Sequence, residues 1–471
     1  MKEKNNKMIT SRDVDFAKWY TDVCKVADLV DYSSVKGSMI IRPYGYAIWE
    51  NIVSVLDKKF KDTGHVNVQM PMFIPESLFN IEKEHVAGFA PEVAWVTHGG
   101  SEELEERMLV RPTSEVLFCE HYKKIIQSYR DLPILYNQWC TIVRWEKETR
   151  PFLRSREILW QEGHTMHATE LEAREETLRM LGVYTDLQVN YLGLPVITGK
   201  KTDKEKFAGA EETYTIEAMM YDGIALQNGT SHYFGQGFAK AFNIEFLNKE
   251  NKLENPHQTS WGVTTRMLGS IIMVHGDDLG LVMPPNIAPT KVIIIPIGEV
   301  GELPTDIYNS LKENDITCIV DNTEKSPGFK FAEAEVKGYP IRIEVGKRDL
   351  ERGIITLVRR DTLEKIEIEP TNVVSKVEEL LVDIQNNLYN RAKIRRDSMI
   401  YEADNYEKFL AIATSKPGFI IGKWCGDVAC ENKIKEDTTF KSRCIIDEIE
   451  EGKCVCCGKD AKANLYWGKQ Y

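Results

Sequence analysis

The segment MPPNIAPT at 283–290 places three prolines in eight residues, and the hydrophobic patterning on its two sides differs in kind. Proline lacks a backbone N–H and restricts the residue before it, so neither a helix nor a central strand runs through such a stretch. The break therefore bounds a first domain at 1–285. Within it, GSMIIRPYGYAIWENIVSVLDKKFKDTG reads as a strand, a turn and a helix ending at Gly64. HVNVQMPMF reads as a strand containing Pro71, and GGSEELEER as a polar acidic loop. Thr169 with Glu172 three residues on forms a capping box for a helix. Asp222-Gly223, between YTIEAMM and IALQNGTSHYF, is the strongest short hairpin signal in the chain. This is strand-rich, antiparallel material with helices added. Beyond the break, KVIIIPIG, ITCIVDN, IRIEVGK and ITLVRRD alternate with helical stretches and lead into a long amphipathic helix. That pattern predicts an α/β domain over 286–392 and leaves 393–471 as a third unit, for an α+β/α/β multidomain chain.

Six of the ten cysteines fall in that third unit: Cys425, Cys430, Cys444, Cys454, Cys456 and Cys457. No apolar run approaches the roughly 18 residues of a membrane helix, and the start, MKEKNNKMITSRD, lacks the apolar core of a secretion signal. The expected location is cytoplasmic, with no membrane partner, and there a cysteine cluster points to metal before disulfides. C-x4-C at 425 and 430 and C-x2-C-G at 454 and 457 supply the two thiolate pairs of a structural tetrahedral zinc. Cys456 in place of Cys457, or Cys444, is open at this level.

The chemistry concentrates in TIVRWEKETRPFLRSREILWQEGHT at 141–165. Arg144 and Glu146, two apart, share a face if both lie on a strand. From Arg144 to Arg156 the local charge is +3, and arginine forks suit a polyphosphate; a solvated basic hairpin is the plainer reading. In RPTSE at 111–115, Thr113 and Glu115 on one strand face would take an ammonium group, whereas a helix N-cap would use Ser114 or Thr113. QNGTSHYFGQGFAKAF adds His232, and SWGVTTRMLGS adds Gly262, which admits a ligand to the backbone, and Arg266 at a helix start suited to phosphate.

In this order the segments resemble the motifs of class II aminoacyl-tRNA synthetases, and more narrowly the prolyl-tRNA synthetase family, of the archaeal/eukaryotic-like type without an inserted editing domain. VNVQMPMF is similar to the dimer-forming first motif, VRWE…RPFLRSREILWQEGHT to the second, and WGVTTR with HGDDLGLVMPP to the third. RPTSE, QNGTSHYFGQ and IEVGKRDLERG with VRRDT resemble the prolyl enzymes' own signatures. The resemblance spans essentially the whole chain. It implies a class II antiparallel-sheet catalytic domain, an anticodon-binding α/β domain and a small C-terminal zinc-binding domain.

The implied reaction activates L-proline with ATP to prolyl-adenylate and pyrophosphate, then passes proline to the 3′ end of tRNA(Pro). Arg144, Glu146 and Arg266 are the implied catalytic residues. Thr113, Glu115, Arg144, Trp160, Phe207, His232, Ser260 and Gly262 would bind proline. Arg144, Glu146, Arg154, Ser155, Gln227, Thr230, Thr264 and Arg266 would bind ATP, with Gln227 touching Mg²⁺. The resemblance also implies a homodimer joined through the catalytic domain, and a terminal Tyr471 near the active site. Only about a hundred residues separate His164 from Ser260, too few for an inserted editing domain beside the core. Each missing methylene is worth only about 1–3 kcal/mol, so misactivation of alanine or cysteine is expected. The alternative is a synthetase-like tRNA sensor without catalysis, which would have lost the phosphate arginines; a threonyl-type relative would want zinc in its amino-acid pocket.

The net charge of −12 is at odds with a nucleic-acid partner only until its distribution is read. From Lys325 to Arg360 the local charge is +4, on the domain expected to read the anticodon. Glu344, Lys347, Arg348 and Arg359 are the candidates there, and a merely charged surface turn is the competing reading for each.

Overall fold

A computed structural model describes residues 9–85 and 92–471; the first residues of the start MKEKNNKMITSRD lie outside the described part. Its centre is an antiparallel sheet built from β1 (Val66–Asn67), β2 (Ile134–Val143), β3 (Glu157–His167), β4 (Ile197–Lys200), β5 (Glu212–Met219), β6 (Ala225–Gly235) and β7 (His257–Thr264). Among these seven strands the short edge strand β1 alone pairs in parallel, with β2. Period-two alternation divides the sheet into two chemically distinct faces. Gln161, Ser231 and Trp261 point toward α1 (Pro43–Asp62) and α3 (Glu170–Asp186): Gln161 accepts from the Tyr184 hydroxyl, Ser231 donates to the Thr177 carbonyl, and the Trp261 ring lies 4.9 Å from Phe60. Gly163 makes room for that indole, since a Cβ there would sit 2.1 Å from it.

Local sequence accounts for these elements. Helix α1 begins with Pro43 and buries Ile48, Trp49, Ile52, Leu56 and Phe60 along one stripe; Gly64 then turns at φ +87°. Helix α3 carries the full capping box, with both reciprocal bonds between Thr169 and Glu172. Asp222-Gly223 turns β5 into β6, with Gly223 at φ +82°. Two expectations change. HVNVQMPMF is not one strand: pairing stops at Asn67 and resumes at Phe73, because Pro71 between them lacks a donor. The acidic GGSEELEER is not a loop but a hairpin tip and strand, Ala94–Gly99 pairing with Glu102–Val110, its acidic side chains facing solvent.

After the break the chain forms a five-stranded sheet from β8 (Val292–Ile297), β9 (Cys318–Val320), β10 (Ile341–Gly346), β11 (Ile355–Arg359) and β12 (Lys365–Ile368) in the order β9-β8-β10-β11-β12. Helices α5 (Leu303–Glu313) and α6 (Pro327–Lys337) make the crossovers, and α7 (Val373–Ser398) buries Val377, Leu380, Ile384 and Leu388 against it. The expected boundary at 392/393 falls inside α7, which runs on to Ser398 because no breaker interrupts it. Arg360 clamps Asp277 with two bonds of 2.6 and 2.8 Å, joining this unit to the end of α4 (Arg266–His275).

The last unit, with β13 (Ile400–Ala403), α8 (Tyr406–Ser415), β14 (Phe419–Trp424), α9 (Val428–Thr438), β15 (Lys441–Glu448) and β16 (Ala463–Gly468), does not stand apart. Ile445 of β15 pairs with Lys200 of β4, so the catalytic-unit sheet continues into it to make eleven strands. Gly199 permits this approach: a Cβ would lie 2.4 Å from the Ile445 carbonyl oxygen. Tyr471 sits on the 222–223 hairpin, its hydroxyl donating to Asp222 and its N–H to Ala225.

Burial pushes His275 and His232 down to about 3 and His167 down to about 4. A histidine held neutral in the fold protonates first in the unfolded chain. Its contribution is complete above about pH 6.5 and is lost as pH falls below it, at up to about 1.4 kcal/mol per pH unit. At the end of α4, His275 Nε2 donates to the Leu192 carbonyl at 2.9 Å. His275→Gln keeps a donor there and is expected to flatten the decline in thermal midpoint between roughly pH 6.5 and 4.5. Parallel pH profiles for the two proteins would count against a buried neutral imidazole.

Candidate functional site

The face of the sheet away from α1 and α3 floors a cavity, and strand register assembles it. Thr213, His232, Ser260 and His164 lie in one cross-strand row; Thr230, Gly262 and Glu162 lie in the next; Thr264 and Trp160 lie in the one beyond. All of these line the cavity. Gly262 occupies the centre of its row, leaving backbone where any other residue would project a side chain. Between Ile216 and Glu217 the β5–β6 register slips at a bulge, which brings Gln227 and Asn228 into the lining. Arg266 closes one end as the first residue of α4, where helix N–H groups already favour anions.

Two buried carboxylates, Glu115 and Glu162, face the cavity in different states. Glu162 is saturated: Ser114 Oγ and Gln138 Nε2 donate to Oε1 at 2.5 and 2.7 Å, and His164 Nε2 lies 2.9 Å from Oε2. Burial works against its charge, but these donors outweigh burial and hold it below the usual carboxylate range. Among the described side chains only the Thr113 hydroxyl donates to Glu115, at 2.5 Å, and burial together with the neighbouring Glu162 charge raises it. A buried carboxylate with one neutral donor is the group in this cavity whose charge an incoming cation would most stabilise. Arg144 lies beside it, its Nε donating to the Pro112 carbonyl at 3.2 Å and its guanidinium 5.0 Å from the Trp160 ring centre. The Trp160 indole N–H is buried without an acceptor among the described residues.

Arg266 donates to the carbonyls of Gln227 (3.1 Å) and Leu153 (3.4 Å); burial, then Arg144 and Arg154, pushes it down to about 10. It is still a cation at neutral pH, and repulsion among three arginines is what a polyanion would relieve. At the far end, Phe207 stands 4.8 Å from His232, and His232 lies 2.9 Å from the Thr213 hydroxyl. Burial keeps that imidazole neutral, so this end is a small, largely uncharged wall.

Of the expected ligand-binding residues, Thr113, Glu115, Arg144, Ser155, Trp160, Phe207, Gln227, Thr230, His232, Ser260, Gly262, Thr264 and Arg266 line this one cavity. Glu146 and Arg154 do not. Strand β2 ends at Val143, and the Glu146 N–H closes a tight turn onto the Arg144 carbonyl at 2.7 Å, so the alternation expected of the pair fails. Glu146 and Arg154 instead face each other at 3.9 Å outside the lining, with Arg154 exposed. Thr113 and Glu115 do not share a strand either: Glu115 opens α2 (Glu115–Ile125), and the hydroxyl reaches the carboxylate across the helix start. Glu162 and His164 were legible as the period-two continuation of Trp160 on β3, but were not singled out. Lys201 and Asn228 also line the cavity. Their places depend on a strand end and a bulge that no local motif announces.

In the α/β unit the four candidates separate. Glu344 is buried between Arg342 and Lys365, and Arg359 between Asp361 and Asp383, so both are neutralised within the protein. Lys347 and Arg348 are exposed on the short helix Lys347–Leu350, just beyond β10. In the last unit the Sγ atoms of Cys425, Cys430, Cys454 and Cys457 all lie within 4.8 Å of one another, with neighbours at 3.7–3.9 Å. A tetrahedron with Zn–S near 2.3 Å has edges of about 3.8 Å, so the four fit such an ion. Cys456 is outside this quartet, and Cys444 packs against Gly199 in the sheet.

Comparison with known proteins follows the same division. Residues 95–275 match the tRNA synthetase class II core domain (G, H, P, S and T), 291–380 an anticodon binding domain, and 406–471 the prolyl-tRNA synthetase C-terminal domain. A proline–tRNA ligase of Ruminiclostridium cellulolyticum is 59% identical over 468 residues, covering 98% of each chain. Another, from Clostridium novyi, is 58% identical over 475 residues, covering 100% of this chain and 99% of that one. The crystal structure of prolyl-tRNA synthetase from Cryptosporidium parvum, complexed with halofuginone and AMPPNP, matches with a TM-score of 0.94 at 40% identity, covering 98% of this chain and 99% of that chain. With class II core, anticodon-binding and C-terminal domains matched in order and a relative 59% identical over 98% of each chain, the chain belongs to the prolyl-tRNA synthetase family.

Proposed function

We propose that this cavity activates L-proline with ATP and transfers it to tRNA(Pro). The observation carrying the reading is that Glu115, a buried carboxylate short of donors, and the cations Arg144 and Arg266 line one cavity. Glu115 with Thr113 takes the proline imino group, and Arg144 holds the carboxylate against the α-phosphate. Trp160, Phe207, His232 and the Ser260–Gly262 backbone wall the ring. Arg266 draws the terminal phosphates, with Ser155, Gln227, Thr230 and Thr264 along the nucleotide. Arg154 and Glu146 sit outside the lining and reach ATP by leaving their mutual contact. The carboxylate displaces pyrophosphate at the α-phosphorus, and a terminal tRNA hydroxyl then displaces AMP from the mixed anhydride. No protein nucleophile is needed; positioning and charge stabilisation supply the rate.

Gln227 offers one neutral oxygen, which suits a Mg²⁺ that arrives mainly on phosphate oxygens and keeps its waters. The ion would neutralise the leaving pyrophosphate. Zinc in the Cys425, Cys430, Cys454 and Cys457 quartet is structural, because four thiolates leave no open position. Between β3 and β7 the chain is spent on α3, β4, β5 and β6, so we place no editing domain there and expect alanyl or cysteinyl products to persist. The exposed apolar residues Val66, Met72, Phe73, Trp95 and Trp145 of the catalytic unit support a homodimer, readable by sedimentation at micromolar concentration. Among the described residues no helix is long and apolar enough to cross a membrane, and we place the enzyme in the cytoplasm with its tRNA. Lys347 and Arg348, exposed and basic, are the proposed anticodon contacts; Glu344 and Arg359 would join only by giving up their internal partners.

Arg144→Ala is expected to lower kcat/KM for proline-dependent pyrophosphate exchange by about 10³-fold or more with the fold retained. Lys347→Glu with Arg348→Glu should leave that exchange intact and raise the KM for tRNA in aminoacylation. Near-normal exchange by Arg144→Ala would sink the assignment. The purified chain should carry one zinc. Cys430→Ser should carry none and melt earlier, since such sites contribute on the order of 10 kcal/mol, whereas Cys456→Ser and Cys444→Ser should retain the metal.

A further inference from the structure

The segment Lys201–Ala210 connects β4 to β5 and carries Phe207 into the amino-acid end of the cavity. Ordering a connection of this kind costs about 1–2 kcal/mol per residue in backbone entropy, so something must hold it. Two of its backbone hydrogen bonds meet at Thr202, whose carbonyl accepts the N–H groups of Glu205 (3.0 Å) and Lys206 (2.9 Å). Phe207 N–H then donates to Thr213 Oγ1 at 2.9 Å. The Thr202 side chain points the other way, into the C-terminal unit. Its hydroxyl donates to Glu431 Oε2 of α9 at 3.0 Å, and Ser442 Oγ of β15 donates to the same oxygen at 2.7 Å. Thr202, Glu431 and Ser442 are each 2% exposed, and Glu431 Oε1 is buried with no partner among the described residues. A carboxylate is thus sequestered between two units, with the Thr202 and Ser442 hydroxyls supplying its hydrogen bonds. The preceding residue is tied in parallel: Lys201 Nζ donates to Glu217 Oε1 at 2.7 Å, and Arg443 of β15 lies 3.7 Å from Glu217 Oε2.

We propose that Glu431 and Ser442 of the C-terminal unit, through Thr202, are positioning residues for the amino-acid pocket: they fix the root of the 201–210 segment and thereby the place of Phe207. None of the three lines the cavity. Their effect falls on recognition of the amino acid and leaves the phosphate-holding arginines untouched. The proposal rests on the amino-acid pocket assigned above.

The test uses the full chain with Thr202→Val, which keeps the shape and removes the donor, and Thr202→Ser, which keeps the hydroxyl. Thr202→Val is expected to raise the KM for proline in pyrophosphate exchange about tenfold, the scale of one hydrogen bond to a charged acceptor, while kcat and the KM for ATP stay within about twofold. Amide hydrogen exchange at Glu205 and Lys206 should quicken about tenfold or more, and Thr202→Ser should restore both readouts. Glu431→Ala should reproduce the Thr202→Val pattern from the other side of the contact, and the double variant should be no worse than either single one. Unchanged loop exchange in Thr202→Val overturns the proposal. So does faster loop exchange at an unchanged proline KM, or an additive double variant. Absence of proline-dependent exchange in the unsubstituted chain would instead overturn the proposed function, and the hydrogen-exchange comparison would still read the anchor.

Discussion

Backbone pairing among β5, β6, β7, β3 and β2 puts residues from five separated stretches into shared rows, and almost everything else about the molecule depends on those rows staying in register. A slip of one residue would exchange the two faces, burying Glu162 and His164 under α3 and exposing Trp261 to the cavity. Two features resist such a slip. Trp261 lies where Gly163 has no side chain, and Tyr184 reaches Gln161 through a sheet-facing hydrogen bond. The dry face therefore carries the stability that lets the wet face hold unsatisfied charge.

On the wet face, function follows from which charges the fold leaves incomplete. Glu162 and Glu115 are both buried carboxylates, yet one is surrounded by donors and the other has a single hydroxyl. Arg144 and Arg266 crowd each other in the same cavity in which burial and the Glu162 charge raise Glu115. A zwitterionic amino acid and a polyphosphate relieve both conditions at once. The same reasoning, applied to the α/β unit, separates Lys347 and Arg348, which are exposed, from Glu344 and Arg359, which are neutralised by neighbours.

The C-terminal unit is part of this arrangement and no appendage. It extends the central sheet at Ile445, reaches the 201–210 segment through Glu431 and Ser442 and Glu217 of β5 through Arg443, and folds its last residue onto the 222–223 hairpin. One member of its cysteine quartet, Cys430, lies in α9 next to Glu431 in sequence, so the metal-binding group and the loop anchor share a helix.

Much of this was written locally. The proline break, the capping box at Thr169, the Asp222-Gly223 turn, the thiolate pairs and the order of the arginine-, histidine- and glycine-bearing segments are short-range signals, and the matched domains follow their order. What failed were inferences that carried strand alternation past the end of a strand. Glu146 turned away because the chain closes on Arg144, and Glu115 opened a helix where an extended segment was expected. Local sequence also could not reveal the union of β4 with β15, the bulge that turns Gln227 and Asn228 inward, or which charged side chains are spent on one another. By itself the sequence determined the elements and the kinds of chemistry they carry, because caps, turns and metal pairs are set by neighbours within a few residues. Only the tertiary structure decided which of those groups remain free to act, because a charge is neutralised by whatever the fold brings within about 3 Å, from any distance along the chain.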